Sequence, residues 1–137
     1  MKVCGIELKG SEAILALIDK NGQDIEHVSI ATKKIPLGDG ECCVQVKSFK
    51  ETFESFCREN AVDKIVIKKR GKKGDYAGGA DTFKMEGIIQ VSDVPNVILI
   101  SPQSISAMQK KSNIELPAAL NKYQHTAFYA GVAGADK

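Results

Sequence analysis

The amino-acid sequence predicts an α/β domain built on a mixed five-stranded sheet with helices on both faces. Three observations carry that expectation. An apolar meander opens the chain, with Asn21-Gly22 at its tightest turn. Two later runs, Asp63 to Ile67 and Val97 to Ile100, are short and apolar on both sides, as buried parallel strands are. Each is followed by a segment with helix-start signals, the alternation that builds parallel crossovers.

Val3 to Leu8 forms the first strand, apolar except for Glu7. Lys9-Gly10-Ser11 turns the chain into a second apolar strand, Ala13 to Ile18. Asn21-Gly22 tolerates positive φ at both positions and closes a hairpin onto a third strand, from about Asp24 to Lys33. Pro36 and Gly38-Asp39-Gly40 place a loop between Ile35 and Cys43. Ser48 with Glu51 is a capping-box pattern, and Phe49, Phe53, Phe56 and Cys57 recur at helical spacing. A helix is therefore expected from Ser48 to Asn60, its phenylalanines in the core.

Asp63 to Ile67 is the fourth strand. Asp81 or Thr82 is expected to cap a second helix through Met85, Ile88 and Ile89 to about Val91. Gly87 in its middle costs roughly 1 kcal/mol relative to alanine, which a close approach to the sheet would explain. Val97 to Ile100 is a fifth buried strand, and Ser101-Pro102 starts a third helix with serine as N-cap and proline in the first turn. Pro117 opens the last helix, whose Ala127, Ala130, Gly131 and Gly134 make a small-residue face. Right-handed crossovers then give the order 3-2-1-4-5, with the first three strands antiparallel.

Composition bounds the class. A chain of 137 residues fits one domain, spanning 1–137, with 43% hydrophobic and 26% charged residues. Its apolar stretches are too short to span a bilayer, and the strand pattern begins at once, so neither a membrane segment nor a signal peptide is expected. Cys4, Cys42, Cys43 and Cys57 lack metal-ligand spacing. Reduced thiols and a cytoplasmic location are the plain expectation.

The net charge is only +2, yet five of the six residues from Lys68 to Lys73 are basic. They are followed by Gly74-Asp75-Tyr76-Ala77-Gly78-Gly79-Ala80 and then by a helix start. Cations, glycines and unpaired N–H groups at one place suit phosphate. Lys68, Lys69, Arg70, Lys72 and Lys73 are the candidate charges, with Gly78 and Gly79 offering backbone N–H groups. Tyr76 is placed to stack on a base or to cover an apolar patch. A solvated surface turn whose charges serve solubility is the bland alternative.

The opening Val3-Cys4-Gly5-Ile6-Glu7-Leu8-Lys9-Gly10, the meander and the later elements resemble the ribonuclease H-like superfamily. The nearest branch is the RuvC-type Holliday junction resolvases, which open on a Gly-Ile-Asp-x-Gly pattern. The whole chain also resembles a small bacterial family of uncharacterised proteins, through Lys73 to Ala80 and Phe83-Lys84-Met85-Glu86.

The superfamily resemblance implies two-metal nuclease chemistry, in which converging carboxylates hold cations around the scissile phosphate. Glu7 matches the acid of the first strand. Lys68 stands near the place of the fourth-strand acid, and Gln124-His125-Thr126-Ala127 near the acids of the final helix. One expected carboxylate survives, so ordinary nuclease catalysis is not expected and no cofactor is assigned.

The favoured reading is a non-catalytic domain binding nucleic acid or another phosphate-bearing ligand through residues 68–80. The enzyme alternative is a divergent nuclease using Glu7 with Mg²⁺ or Mn²⁺, with Asp75, Asp81 or Glu86 converging on it. A third reading is a dimeric assembly or regulatory protein whose small-residue helix packs against a second subunit. The resolvase resemblance also implies a homodimer. Glu7 is expected to pair with Lys68 across neighbouring strands. His27 is expected to be an ordinary half-exposed side chain, and His125 a structural residue with a proton shuttle or ligand as the alternative.

Overall fold

The computed structural model describes residues 1–74, 78–94 and 96–137. Strand β1 (Lys2–Lys9) pairs along its whole length with antiparallel β2 (Glu12–Asn21), Ile6 opposite Leu15. The Asn21-Gly22 turn, with Gly22 at φ 64°, returns the chain as β3 (Asp24–Val28) on the outer edge of β2. The predicted third strand is thus shorter than expected. The chain leaves the ladder after Val28, and a separate β4 (Lys34–Pro36) pairs with the opening half of β2, overlapping the start of the segment expected to be a loop.

Helix α1 (Cys43–Glu59) begins five residues earlier than the capping pattern suggests, and its N-cap Cys42 makes no side-chain cap. Ser48 and Glu51 lie inside it. Phe49, Phe53, Phe56 and Cys57 are buried as their spacing predicts, because one face of the helix lies against the sheet. Buried Glu54 accepts from the Lys50 ammonium at 2.9 Å and from the Asp93 N–H at 2.9 Å, tying α1 to the segment that precedes the last strand.

Strand β5 (Lys64–Lys68) runs parallel to β1 with Ile6 beside Ile67, and β6 (Val97–Ile100) runs parallel to β5. The spatial order is β3-β2-β1-β5-β6, the predicted succession with the short β4 added beside β2. β6 is an edge strand with Leu99 36% exposed, so it is less buried than expected. Between them, α2 (Ala80–Gln90) starts from Gly79 rather than from a cap at Asp81 or Thr82. The Thr82 hydroxyl instead donates to the Gly79 carbonyl at 2.6 Å. Gly87 has open space around its α-carbon, so no close approach to the sheet explains it.

After β6, the Ser101 side chain caps α3 (Pro102–Lys111) by accepting from the Ser104 N–H at 3.1 Å, as the sequence predicts. The last helix does not open at Pro117. A 3₁₀ turn at Lys122–Gln124 leads into α4 (His125–Gly134). The Gln124 amide donates to the Leu15 carbonyl at 2.8 Å and accepts from the Asn121 N–H at 3.0 Å, which anchors the helix start on β2.

Two cores result. Cys4, Ile6, Leu8, Ile65 and Ile67 point to the α1 and α2 side. Val3, Ile14, Ile18 and Val66 point to the α4 side. The small-residue face of α4 lies on its own sheet: a Cβ on Gly5 would sit 1.9 Å from the Ala127 carbonyl oxygen, and one on Gly134 2.4 Å from Val66. The expectation that this face packs on a second subunit is therefore corrected.

Candidate functional site

Strand alternation fixes where the central side chains go. Glu7 shares the α4 side with Val3 and Gly5, and Lys68 shares it with Lys64 and Val66. The register runs to Ile6 beside Ile67, so Glu7 and Lys68 follow as neighbours at the carboxyl ends of β1 and β5. Both are half-buried. The expected ion pair between them does not form; the ion pairs among the described residues join other groups.

Lys68 instead lines a cleft of about 260 Å³ between α3 and α4. His125 and Thr126, the first residues of α4, stand on one wall with Tyr129. Pro102, Ile105, Ser106 and Gln109 of α3 form the other. The sequence reading singled out Lys68 and His125 separately but missed that they share a cavity. It missed the α3 residues altogether, because no local motif links them to β5 or α4.

The cationic segment continues outward from this cleft. The Lys69 N–H donates to the Ile100 carbonyl at 2.8 Å, which holds the start of the segment to the end of β6. Lys69, Lys72 and Lys73 are exposed, and Arg70 is half-buried. A Cβ on Gly78 would sit 2.8 Å from the Arg70 Cβ and 2.7 Å from the Thr82 hydroxyl, so this glycine lets the loop close. The Gly78 N–H is committed to the Gly71 carbonyl at 2.8 Å. Gly79 is exposed at the N-cap of α2, which carries no side-chain cap. Gly74 takes φ 91°, a conformation that suits glycine. Tyr76 and Asp75 lie outside the described residues.

Among the described residues, the donor set does not fit a pair of divalent cations. Among the described residues, no three His, Cys, Asp or Glu side chains are grouped to hold a metal. Asp81 accepts from the Ser11 hydroxyl at 2.7 Å. Asp81 and Glu86 belong to α2, whose Met85 and Ile89 pack with Ile6 and Leu8 on the face opposite Glu7. The expected convergence of these acids on Glu7 is corrected accordingly.

His27 stands edge-on to Phe128 with ring centroids 6.2 Å apart, and burial lowers its pKa. All four cysteines are free. Burial raises the Cys4 thiol well above its ordinary value and pushes Cys57 up to about 12, so neither thiol is ready to ionise. No helix of the described residues is long and apolar enough to cross a membrane.

The family model described as "Protein of unknown function (DUF3010)" matches residues 1–134, and the chain belongs to that family. A comparison with curated proteins finds no match. Among solved structures, the chain is similar to Thermus thermophilus RuvC in complex with Holliday junction substrate, with a TM-score of 0.73 and 11% identity over 98% of this chain and 93% of that one. It is also similar to the Fowlpox virus resolvase in complex with substrate Holliday junction DNA. There the TM-score is 0.58, with 16% identity over 99% of this chain and 97% of that one. The fold is ribonuclease H-like, as the resemblance in sequence implies.

Proposed function

We propose that this protein binds nucleic acid through the cationic segment 68–79 without cutting it. The observation that carries the reading is the placement of the charge. Lys68 ends the central parallel strand, where the resolvase resemblance calls for a carboxylate, and Lys69, Arg70, Lys72 and Lys73 extend the positive field to the start of α2. A cation at that position repels divalent metal and attracts phosphate. The start of α2 at Gly79, which carries no side-chain cap, adds the positive end of a helix dipole to the same edge.

Branched DNA is the proposed preferred form, by analogy with the junction-bound resolvases of the same fold. The same analogy supports a homodimer, in a cytoplasmic setting. Light scattering that returns twice 14.8 kDa is the expected result for the assembly.

The direct test is a titration against labelled single-stranded, duplex, hybrid and four-way-junction nucleic acids at two salt concentrations, with and without Mg²⁺. Five phosphate contacts predict a slope of about −4.5 in log affinity against log salt. Replacing Lys69, Arg70, Lys72 and Lys73 together by alanine removes about four-fifths of that slope at roughly 0.9 per contact. Binding indifferent to salt, or unchanged in the fourfold variant, sinks the proposal. Cleavage lost in Glu7→Gln would establish the nuclease reading in its place.

A further inference from the structure

The cleft between α3 and α4 is chemically unlike the loop beside it. We infer that it is a separate site for a terminal phosphate, a phosphomonoester carried either by a free nucleotide or by the end of a nucleic-acid strand. The inference shares Lys68 with the loop reading and is otherwise independent of it.

Its polar lining is suited to an anion. Lys68 and His125 face the same 260 Å³ space, and among the described residues neither side chain has a hydrogen-bond or ion-pair partner. Ser106 and Thr126 add hydroxyl donors, and among the described residues no carboxylate lines the cleft. Pro102 and His125 are the first residues of α3 and α4, so the first turns of two helices border the same space. The positive end of α3 reinforces the side-chain charge.

Charge and size favour a monoester over an internal phosphate. A monoester carries close to two negative charges near neutral pH, against the single charge of a phosphodiester. Lys68 supplies a full positive charge, and the His125 ring with the Ser106 and Thr126 hydroxyls supplies donors for the remaining phosphate oxygens. The volume far exceeds the ~30 Å³ share of a water molecule. Ile105 and Tyr129 supply apolar wall for an attached sugar or base. A second hollow of about 470 Å³ shares Pro102 and Ser106 with the first and runs along α3 to Lys110, giving room for whatever the phosphate is attached to.

Calorimetric titration of the full chain with thymidine monophosphate, thymidine, and an oligothymidine strand with and without a terminal phosphate tests the assignment. Thymidine monophosphate is expected to bind saturably and thymidine not at all. Lys68→Gln and His125→Gln should each weaken it about tenfold or more, the usual effect of losing one charge-assisted hydrogen bond. Gln109→Glu, at an exposed position, should do the same by placing a carboxylate in the cleft.

Lys72→Ala with Lys73→Ala should leave this binding intact while weakening duplex binding, so the two sites fail separately. A strand that binds more tightly with its terminal phosphate than without it assigns the site to strand ends; a strand indifferent to its terminal phosphate, beside saturable thymidine monophosphate binding, assigns it to free nucleotide. Equal responses to thymidine monophosphate and thymidine overturn the inference, as do His125→Gln and Gln109→Glu variants that are folded and bind normally.

Discussion

The face of the sheet under α1 and α2 is filled by large side chains, among them Phe49, Phe53, Phe56 and Met85. The face under α4 is closed by Ala127, Ala130, Gly131 and Gly134 lying on Gly5 and Val66. The first face holds its helices at side-chain length, and its stability comes mainly from apolar area removed from water. The second brings helix backbone onto strand backbone, so its stability depends on the absence of atoms. That close approach also sets the site. With Gly131 on Gly5, the first turn of α4 delivers His125 and Thr126 to the cleft beside Lys68.

The sharpest way to break the comparison is Gly5→Ala. The added Cβ would lie 1.9 Å from the Ala127 oxygen and 2.6 Å from the Gly131 nitrogen, both backbone atoms that cannot rotate away. A loss above about 3 kcal/mol is expected, enough to abolish the cooperative transition in urea or heat. A Gly5→Ala protein with near-native stability would show that α4 can lift from the sheet.

Phe53→Ala should cost about 3 kcal/mol, by leaving a cavity under α1. Phe53→Leu should recover most of that loss, because a face built on volume accepts a smaller apolar filler. Gly5 has no such graded replacement. Urea midpoints of the two phenylalanine variants measure the contrast.

The smallest effect concerns the polar tie on the large-residue face. The Lys50 ammonium and the Asp93 N–H hold the Glu54 carboxyl below its ordinary value of 4.5. A lowered folded pKa means that the unfolded chain binds more protons in that range. The stabilisation is therefore complete above about pH 4.5 and fades as pH falls through the lowered value. Glu54→Gln should cost about 1 kcal/mol at neutral pH and flatten this acid dependence. An unchanged acid limb in the variant would assign the dependence to other carboxylates.

Local chemistry made much of the fold legible. The Asn21-Gly22 turn, the phenylalanine spacing of α1 and the Ser101-Pro102 start of α3 each act over a few residues, and each appears where the sequence places it. Errors arose where a distant partner outweighed a local signal. The chain leaves β3 after Val28, and β4 takes the remaining half of the same β2 edge. Cys42 starts α1 without a side-chain cap, so the capping pattern at Ser48 misplaced the boundary. Glu7 and Lys68 were correctly made neighbours, but adjacency in a sheet does not oblige two flexible side chains to meet.

By itself the sequence determined the succession of the main strands and helices, and the concentration of five cations at the end of one strand. Both follow from periodicity and charge, which are properties of neighbouring residues. Only the tertiary structure decided that the small-residue face of α4 meets Gly5, and that Lys68, His125 and the first turns of α3 and α4 share one cleft. Those groups are far apart along the chain, and packing the two sides of the sheet is what brings them together.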